Sequence, residues 1–257
     1  MKMNKAITLT MLGAISCLFS ASVFADMETT SESFSVKLGA TRVIYDPASN
    51  GATITVANPQ DYPILLQSVV LSEDKKSKAP FIVTPPLMRL EALQQSRLRI
   101  IRTGGHFATD RETMQWFCAK GIPPKADDAW TQGQKPPPVQ AKDNVSVKVQ
   151  LSISNCIKLQ VRPSSVKGGP EFAAQNITWT QKGNKLEARN NSPFYMNLIS
   201  LSVGSVKIND ISYIPPFGTH LYPLPKGKSG NDVSWQIVND FGGESQLYKG
   251  KVIALFP

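Results

Sequence analysis

The sequence predicts an all-β protein made of two units. Short runs of β-branched and aromatic residues dominate the chain after residue 25, and Gly, Pro, Asn and Asp separate these runs. No long amphipathic helix interrupts the pattern. Residues 163–170 form a Pro- and Gly-rich break where apolar residues become sparse. This break indicates a boundary between a unit spanning 26–163 and one spanning 164–257.

The first unit contains seven or eight strand-like runs, whose number and spacing predict a β-sandwich. The runs are residues 34–38, 41–45, 52–56, 64–71, 81–83, 97–102, 113–119 and 145–161. The segment 125–144 is rich in Pro, Gln, Lys and Asp and is too polar to pack. It predicts a long mobile loop between the last two strands.

The second unit is a smaller all-β domain of about 90 residues. Its strand-like runs are residues 177–179, 186–188, 194–201, 205–208, 220–224, 233–238 and 247–255. Asn-rich and Gly-rich turns separate them, as expected for short antiparallel strands.

The run 145–161 is too long for one sandwich. Its apolar residues alternate with polar ones, which is typical of a half-buried strand. They are Val145, Val147, Val149, Leu151, Ile153, Ile157, Leu159 and Val161, with Asn155 as the polar interruption. Seventeen residues would extend roughly 55 Å, whereas strands usually have about 5–6 residues. One half can be core of its own domain, and the other half needs a partner unless it also faces that core.

The N-terminus predicts a cleavable secretory signal over residues 1–25. Lys2 and Lys5 supply the positive start, residues 6–19 are apolar, and small residues precede Asp26. A retained membrane anchor is less favoured, because the apolar run is shorter than the ~20 residues that span a bilayer. Cys17 lacks a Leu three positions earlier, which argues against a lipoprotein.

The basic charge does not predict a nucleic-acid partner. Removing residues 1–25 takes away two lysines and no acid, so the net charge falls from +9 to +7. The remaining lysines and arginines are scattered without a run of five, and export disfavours a genomic target. We therefore expect a basic exported protein with no nucleic-acid target.

Two cysteines remain after cleavage, Cys118 and Cys156. An even pair in an exported chain predicts one disulfide, here between two neighbouring strands. Closing a loop of about 39 residues contributes roughly 3–4 kcal/mol in the chain-entropy model. A reactive thiol is the alternative, although no CxxC motif occurs and neither cysteine has a nearby histidine in the sequence.

The sequence offers no enzyme chemistry. His106 and His220 are its two histidines, and neither belongs to a recognisable metal-ligand set. Gly227-Lys228-Ser229 resembles the end of a phosphate-binding loop, but position 222 is Tyr where that motif needs Gly. We predict no catalytic residues, no metal, no cofactor and no small-molecule substrate.

Three motifs resemble those of one protein family. Residues 107–118 (FATDRETMQWFC), closed by Ile122-Pro123, are similar to a signature with a D-R-E turn and an aromatic strand; Ala119 departs from it. Residues 157–163 (IKLQVRP) and 239–242 (NDFG) resemble two later motifs. The chain therefore resembles the periplasmic chaperones of the chaperone–usher pathway. The cysteine pair and the long linker resemble the long-loop subclass, which serves thin fibres and afimbrial adhesins.

The resemblance implies two immunoglobulin-like β-sandwich domains in an L or boomerang arrangement, with a cleft between them. It also implies that the protein binds fibre, pilus or adhesin subunits by donor strand complementation and delivers them to an outer-membrane usher. A structural fibre subunit or adhesin of the same pathway is the alternative. The free protein would have to shield its apolar strand by self-association or by loop cover, and the sequence leaves both open.

The resemblance also assigns roles to residues. Residues 144–154 would form the donor strand, with apolar side chains Val145, Val147, Val149, Leu151 and Ile153. Arg42 and Lys158 would bind the C-terminal carboxylate of the subunit, through a planar fork and a point charge. Without the resemblance, either cation would more often be an ordinary surface residue.

Two further groups follow from the resemblance. Phe34, Val36 and Leu38 would form an N-terminal arm that contacts the subunit, with an ordinary edge strand as the alternative. Glu112, Arg162 and Asp240 would form an ion network between the domains.

Overall fold

The computed structural model describes residues 29–124, 128, 147–224 and 230–254. Within these residues the chain forms β-strands, with one four-residue helix and one 3₁₀ turn, so the all-β prediction is confirmed. The predicted signal segment 1–25 lies outside the described residues. So do Val145 and the predicted loop 125–144 apart from Asp128.

The first unit is a sandwich of two sheets. Its strands are β1 (Thr29–Phe34), β2 (Lys37–Leu38), β3 (Arg42–Tyr45), β4 (Ala52–Ala57), β5 (Ile64–Leu71), β6 (Phe81–Thr84), β7 (Leu87–Leu90), β8 (Gln95–Arg102), β9 (Thr113–Ile122), β10 (Val147–Ser152) and β11 (Ser154–Val161). One sheet has the order β3-β11-β9-β5-β7 and the other β2-β4-β8-β6. Strands β1 and β10 form a separate parallel pair.

Alternation along the strands produces the first core. Ile64, Leu66 and Val70 of β5 face inward, as do Leu98 and Ile100 of β8 in the opposite sheet, and all five are buried. Successive side chains of a strand point to opposite faces, so every second residue of each sheet meets the other sheet. The alternate residues Arg97 and Arg99 of β8 are exposed on the outer surface.

The second unit has its own core. Helix α1 (Pro170–Ala173) precedes β12 (Thr178–Lys182), β13 (Lys185–Arg189), β14 (Met196–Val203), β15 (Val206–Lys207), β16 (Tyr213–Ile214), β17 (Thr219–Pro223), β18 (Asp232–Ile237) and β19 (Tyr248–Ala254). The strand order is β15-β14-β18-β19-β12-β13-β17, with β16 paired to β14. The rings of Trp179 and Trp235 pack 5.2 Å apart at the centre, beside the buried Tyr222.

The predicted strand 145–161 is divided into β10 and β11, with Ile153 between them. The division follows from a change of partners. Strand β11 pairs with β9 and β3 inside the sandwich, whereas β10 pairs with β1 outside that sheet. Ile153 N–H donates to Phe34 O at 2.9 Å, so the hydrogen bonding between β10 and β1 continues one residue beyond β10.

One alternating face of this run has two environments. Leu159 and Val161 in β11 are 0% exposed. Val149, Leu151 and Ile153, on the same alternation, are 38%, 51% and 39% exposed. The C-terminal half of the run is therefore core, and the N-terminal half is an apolar surface.

Leucine-to-alanine substitutions on this face should separate the two environments. Leu159→Ala should lower the free energy of unfolding by about 2–5 kcal/mol, because it leaves a cavity in a packed core. Leu151→Ala should lower it by less than about 0.5 kcal/mol, because its site is open to water. Urea unfolding of the two variants and the parent measures the difference, and equal losses would contradict this division of the strand.

Candidate functional site

An exposed apolar row lies on β10 and on Ile153 just after it. Val149, Leu151 and Ile153 form its described part. Val145 lies outside the described residues, and only the backbone of Val147 is described. Among the described residues, β10 has β1 as its strand partner and so keeps one edge open. An apolar face beside an unpaired backbone edge is a template for another strand.

The N-terminal arm differs from the prediction. Phe34 and Val36 are each 1% exposed: the ring of Phe34 packs 5.5 Å from that of Tyr62, and Val36 belongs to the first core. Leu38 is partly buried against the same core. After β1 the chain crosses to β2, which pairs with β4 of the opposite sheet, so these side chains turn inward. In the free chain Phe34 and Val36 are therefore buried rather than part of an exposed row, and a contact of this arm with a subunit stays a prediction.

The two predicted anchor cations meet in one cleft. Lys158 on β11 lies directly opposite Arg42 on the parallel neighbour β3. Both line a cavity of about 430 Å³, whose far wall includes Asn197 and Tyr213 from the second unit. Strand pairing thus fixes the spacing of the cations, and packing of the two units encloses them.

Among the described residues, neither cation forms an ion pair with a carboxylate. Arg42 Nη1 donates to Val238 O at 3.3 Å, and its buried Nε finds no acceptor among the described residues. Lys158 Nζ donates to Asn197 Oδ1 and lies 5.0 Å from the centroid of the Tyr213 ring. These contacts are neutral, so both cations retain the capacity to bind an anion.

Burial lowers the pKa of both cations. Desolvation, reinforced by the charges of Arg42 and Lys75, lowers the pKa of Lys158 to about 8. Desolvation also lowers the pKa of Arg42, although Asp240 and Glu112 oppose the shift. A carboxylate entering the cleft would relieve this unfavourable burial of charge.

A second groove continues the cleft. It has a volume of about 620 Å³ and runs between residues 35–41 and 154–157. Thr41, Cys156 and Ile157 line both cavities, so the two are contiguous. An extended chain lying in this groove would have its end at Arg42 and Lys158.

Arg162 joins the two units through two carboxylates. Its Nε donates to Glu112 Oε1 at 2.6 Å, and its Nη1 and Nη2 donate to the two oxygens of Asp240 at 2.7 Å. Glu112 Oε2 accepts from Tyr195 N–H at 2.7 Å. Burial raises the pKa of Glu112, and Arg162 opposes that shift. The structure thus brings the three predicted residues into one network.

A glycine allows a close approach between the two units. Gly242 follows Phe241 in the predicted NDFG turn and has a φ of +87°, a conformation that favours glycine. A Cβ at this position would lie 2.1 Å from Thr41 Oγ1. Thr41 directly precedes Arg42, so a side chain at position 242 would collide with the Thr41 side chain next to this cation.

The predicted disulfide is present. Cys118 on β9 and Cys156 on β11 are direct antiparallel neighbours, with their Cα atoms 4.1 Å apart. The bond links the strand that carries Trp116 to the base of the exposed apolar segment. This geometry rules out the alternative of a free reactive thiol.

Sequence reasoning missed part of the cleft wall. Lys75, Asn197 and Tyr213 line it from a loop, from β14 and from β16. Trp116 belongs to the aromatic strand of the first motif, and it also lines the cleft. No local pattern marks these positions, because the packing of the two units brings them together.

Three further possibilities are a role for a histidine, a metal site and a membrane-spanning helix. The His220 ring packs 4.6 Å from Tyr222. The described residues contain no group of three or more side chains suited to a metal ion. Within the same residues, no helix has the length and apolar character needed to cross a bilayer.

Both units match models of known domains. Residues 35–167 match the N-terminal domain of the pili and flagellar-assembly chaperone PapD, and residues 172–249 match the C-terminal domain of the pili assembly chaperone PapD. Among curated proteins, the chaperone protein AfaB of Escherichia coli is 56% identical over 78% of this chain and 80% of its own length. The chaperone protein PsaB of Yersinia pestis is 51% identical over 88% and 87%.

Solved structures of chaperones are also similar to this chain. The Escherichia coli chaperone DraB is similar with a TM-score of 0.76 and 51% identity, covering 88% of this chain and 100% of that one. A chain of the complex between the Salmonella enterica SafA pilin and the SafB chaperone has a TM-score of 0.76 and 48% identity, with coverage of 88% and 100%. The periplasmic chaperone SfaE has a TM-score of 0.64 and 26% identity, covering 85% and 100%.

Neutralising the two carboxylates around Arg162 should have graded effects. Glu112→Gln should lower the free energy of unfolding by about 2 kcal/mol, because it removes a charged hydrogen bond from a buried site. Asp240→Asn should cost about 1 kcal/mol, since water reaches the 25% of that side chain that is exposed. Urea unfolding at neutral pH checks the order, and a larger loss for Asp240→Asn would contradict it.

Proposed function

Because the chain belongs to the pili assembly chaperone family, we propose that it captures fibre subunits by lending them its exposed β10 segment. It is a chaperone of surface-fibre assembly rather than an enzyme. Its guests are pilin or adhesin subunits, as in the complex of SafB with SafA. The observation that carries the proposal is the divided face of residues 147–161, buried at Leu159 and exposed at Leu151.

The fibre subunit has a surface that is complementary to β10. A fibre subunit that lacks its last strand has an apolar groove flanked by unpaired backbone edges, and such edges aggregate unless a strand covers them. Strand β10 offers main-chain donors and acceptors together with an alternating apolar row. Pairing of the two is β-augmentation, in which the backbone gives affinity and the side chains give specificity.

Burial of the row supplies the driving force. Val149, Leu151 and Ile153 are between 38% and 51% exposed in the free chain. Full burial of an exposed aliphatic side chain contributes very roughly 1.5–3 kcal/mol, so completing the burial of each of these half-covered side chains contributes about 1 kcal/mol before the cost of ordering both partners. The full donor row in the proposal also includes Val145 and Val147.

The cationic cleft sets the register. We place the C-terminal carboxylate of the guest between Arg42 and Lys158, reached through the groove beside residues 154–157. A strand shifted by one residue turns every side chain to the other face. An anchored terminus therefore determines which guest residues meet Leu151 and Val149. Arg162 with Glu112 and Asp240 would hold the two units at the separation this anchor requires.

We propose the periplasm as the place of action. Its support is the positive and apolar character of residues 1–19, the small residues before Asp26, and the similarity to the periplasmic chaperone SfaE. The disulfide agrees with an oxidising compartment. Transfer of the captured subunit to an outer-membrane usher is the step proposed to follow.

Charged residues in the apolar row should abolish capture without unfolding the chaperone. Val149→Asp combined with Leu151→Asp places two charges where the guest needs apolar surface, while both sites face water in the free chain. Co-expression with the fibre subunit encoded beside this chain, followed by co-purification, should recover little binary complex. Gln150→Asp is the matched control, because it adds charge to the opposite face. Normal recovery with the double variant would refute the donor strand.

Subunit capture should weaken as the pH rises from 7 to 9. The pKa of Lys158 is about 8 in the free cleft, and a bound carboxylate favours its charged form. Binding is therefore strongest below pH 8 and is lost as Lys158 deprotonates, by about ten-fold over this range. Titration calorimetry with a peptide matching the subunit's C-terminal strand measures the profile.

Two sets of variants complete the pH test. Lys158→Arg should flatten the profile, because arginine stays charged throughout this range. Arg42→Ala and Lys158→Ala should each weaken binding at pH 7. A flat profile for the parent protein, or full binding by both alanine variants, would remove the anchor from the mechanism.

A further inference from the structure

The loop between β5 and β6 has a conformation fixed by its own hydrogen bonds. Asp74 Oδ1 accepts from the N–H groups of Lys76 and Ser77 at 2.8 and 3.0 Å, and Ser72 N–H donates to Ser77 O at 2.8 Å. Lys75 lies at the turn with a φ of +59°, which is uncommon for a residue other than glycine. We call residues 72–77 the lysine loop.

The lysine loop is attached to both walls of the cleft. Trp116 Nε1 on β9 donates to Glu73 O at 3.2 Å, and the Tyr213 hydroxyl on β16 donates to Glu73 Oε1 at 2.9 Å. Lys75 Nζ lies 3.8 Å from the centroid of the Trp116 ring. The loop therefore spans from one unit to the other and holds Lys75 over an aromatic face.

Lys75 adds a third positive charge to the cleft. Together with Arg42 and Lys158 it lines the cavity of about 430 Å³, and no carboxylate lines that cavity among the described residues. The nearby Glu73 carboxylate is engaged by Tyr213. Lys75 is exposed, whereas the other two cations are half-buried. Its charge also contributes to the lowered pKa of Lys158.

We propose that Lys75 is a third binding residue for the terminal carboxylate of the guest, held at the mouth of the cleft by the lysine loop. This inference rests on the proposed function of Arg42 and Lys158. An exposed cation above two half-buried ones attracts the carboxylate before it is desolvated and raises the rate of association. The aromatic face of Trp116 keeps the ammonium in place without neutralising it.

The test compares two forms of one peptide. A synthetic peptide matching the C-terminal strand of the neighbouring-encoded fibre subunit is prepared with a free acid or with an amide terminus. Lys75→Met keeps the aliphatic packing on Trp116 and removes the charge. It should weaken binding of the acid peptide roughly three-fold to five-fold at low salt, the scale of an exposed ion pair, and leave the amide peptide unchanged.

Salt and a matched lysine provide the controls. The loss in Lys75→Met should shrink in ~0.5 M salt, because the Debye length falls to a few ångströms. Lys76→Met should change neither peptide, since Lys76 is the adjacent loop lysine and does not line the cavity.

The outcomes separate this inference from the proposed function. If Arg42→Ala and Lys158→Ala weaken the acid peptide but Lys75→Met does not, the third cation is refuted and the anchor stands. Equal weakening of acid and amide peptides by Lys75→Met would show a structural role for the loop and overturn the inference. If Arg42→Ala and Lys158→Ala leave the acid peptide unaffected, the anchor itself fails.

Discussion

Exclusion of water from one row of aliphatic side chains is the constraint on which the rest of this structure depends. The sandwich satisfies it for Leu159 and Val161, because β9 and β3 flank that part of the run. It cannot do so for Leu151, because β10 has left the sheet and pairs with β1. In the proposed function, the free energy of burying this exposed apolar row on β10 drives the binding of a fibre subunit.

Charge in the cleft complements this apolar driving force. Two half-buried cations without a facing carboxylate are unfavourable, and the lowered pKa of Lys158 is one measure of that cost. The acids that could have paired with them, Glu112 and Asp240, are held by Arg162. The fold thus uses these two carboxylates to join the units, and under the proposed function the carboxylate of a fibre subunit would pair with the cleft cations.

Local pattern predicted much of this molecule, and tertiary packing decided the rest. Period-two alternation identified Leu159 as core and Leu151 on the same face, and the even cysteine count identified the disulfide. Alternation could not show that Phe34 turns inward, because that depends on where the chain crosses between sheets. Alternation also did not predict the break between β10 and β11 at Ile153, where the strand partners change. No local sequence pattern identified Tyr213 as a cleft residue, because its partner Glu73 comes from a distant part of the chain.

Gly242 has a consequence for how the width of the cleft is determined. The contact between the turn 239–242 and Thr41 involves backbone on one side, with room for hydrogen and nothing larger. A methyl group at position 242 would push the two units apart next to Thr41. The width of the cleft beside Arg42 therefore depends on the absence of a side chain at position 242.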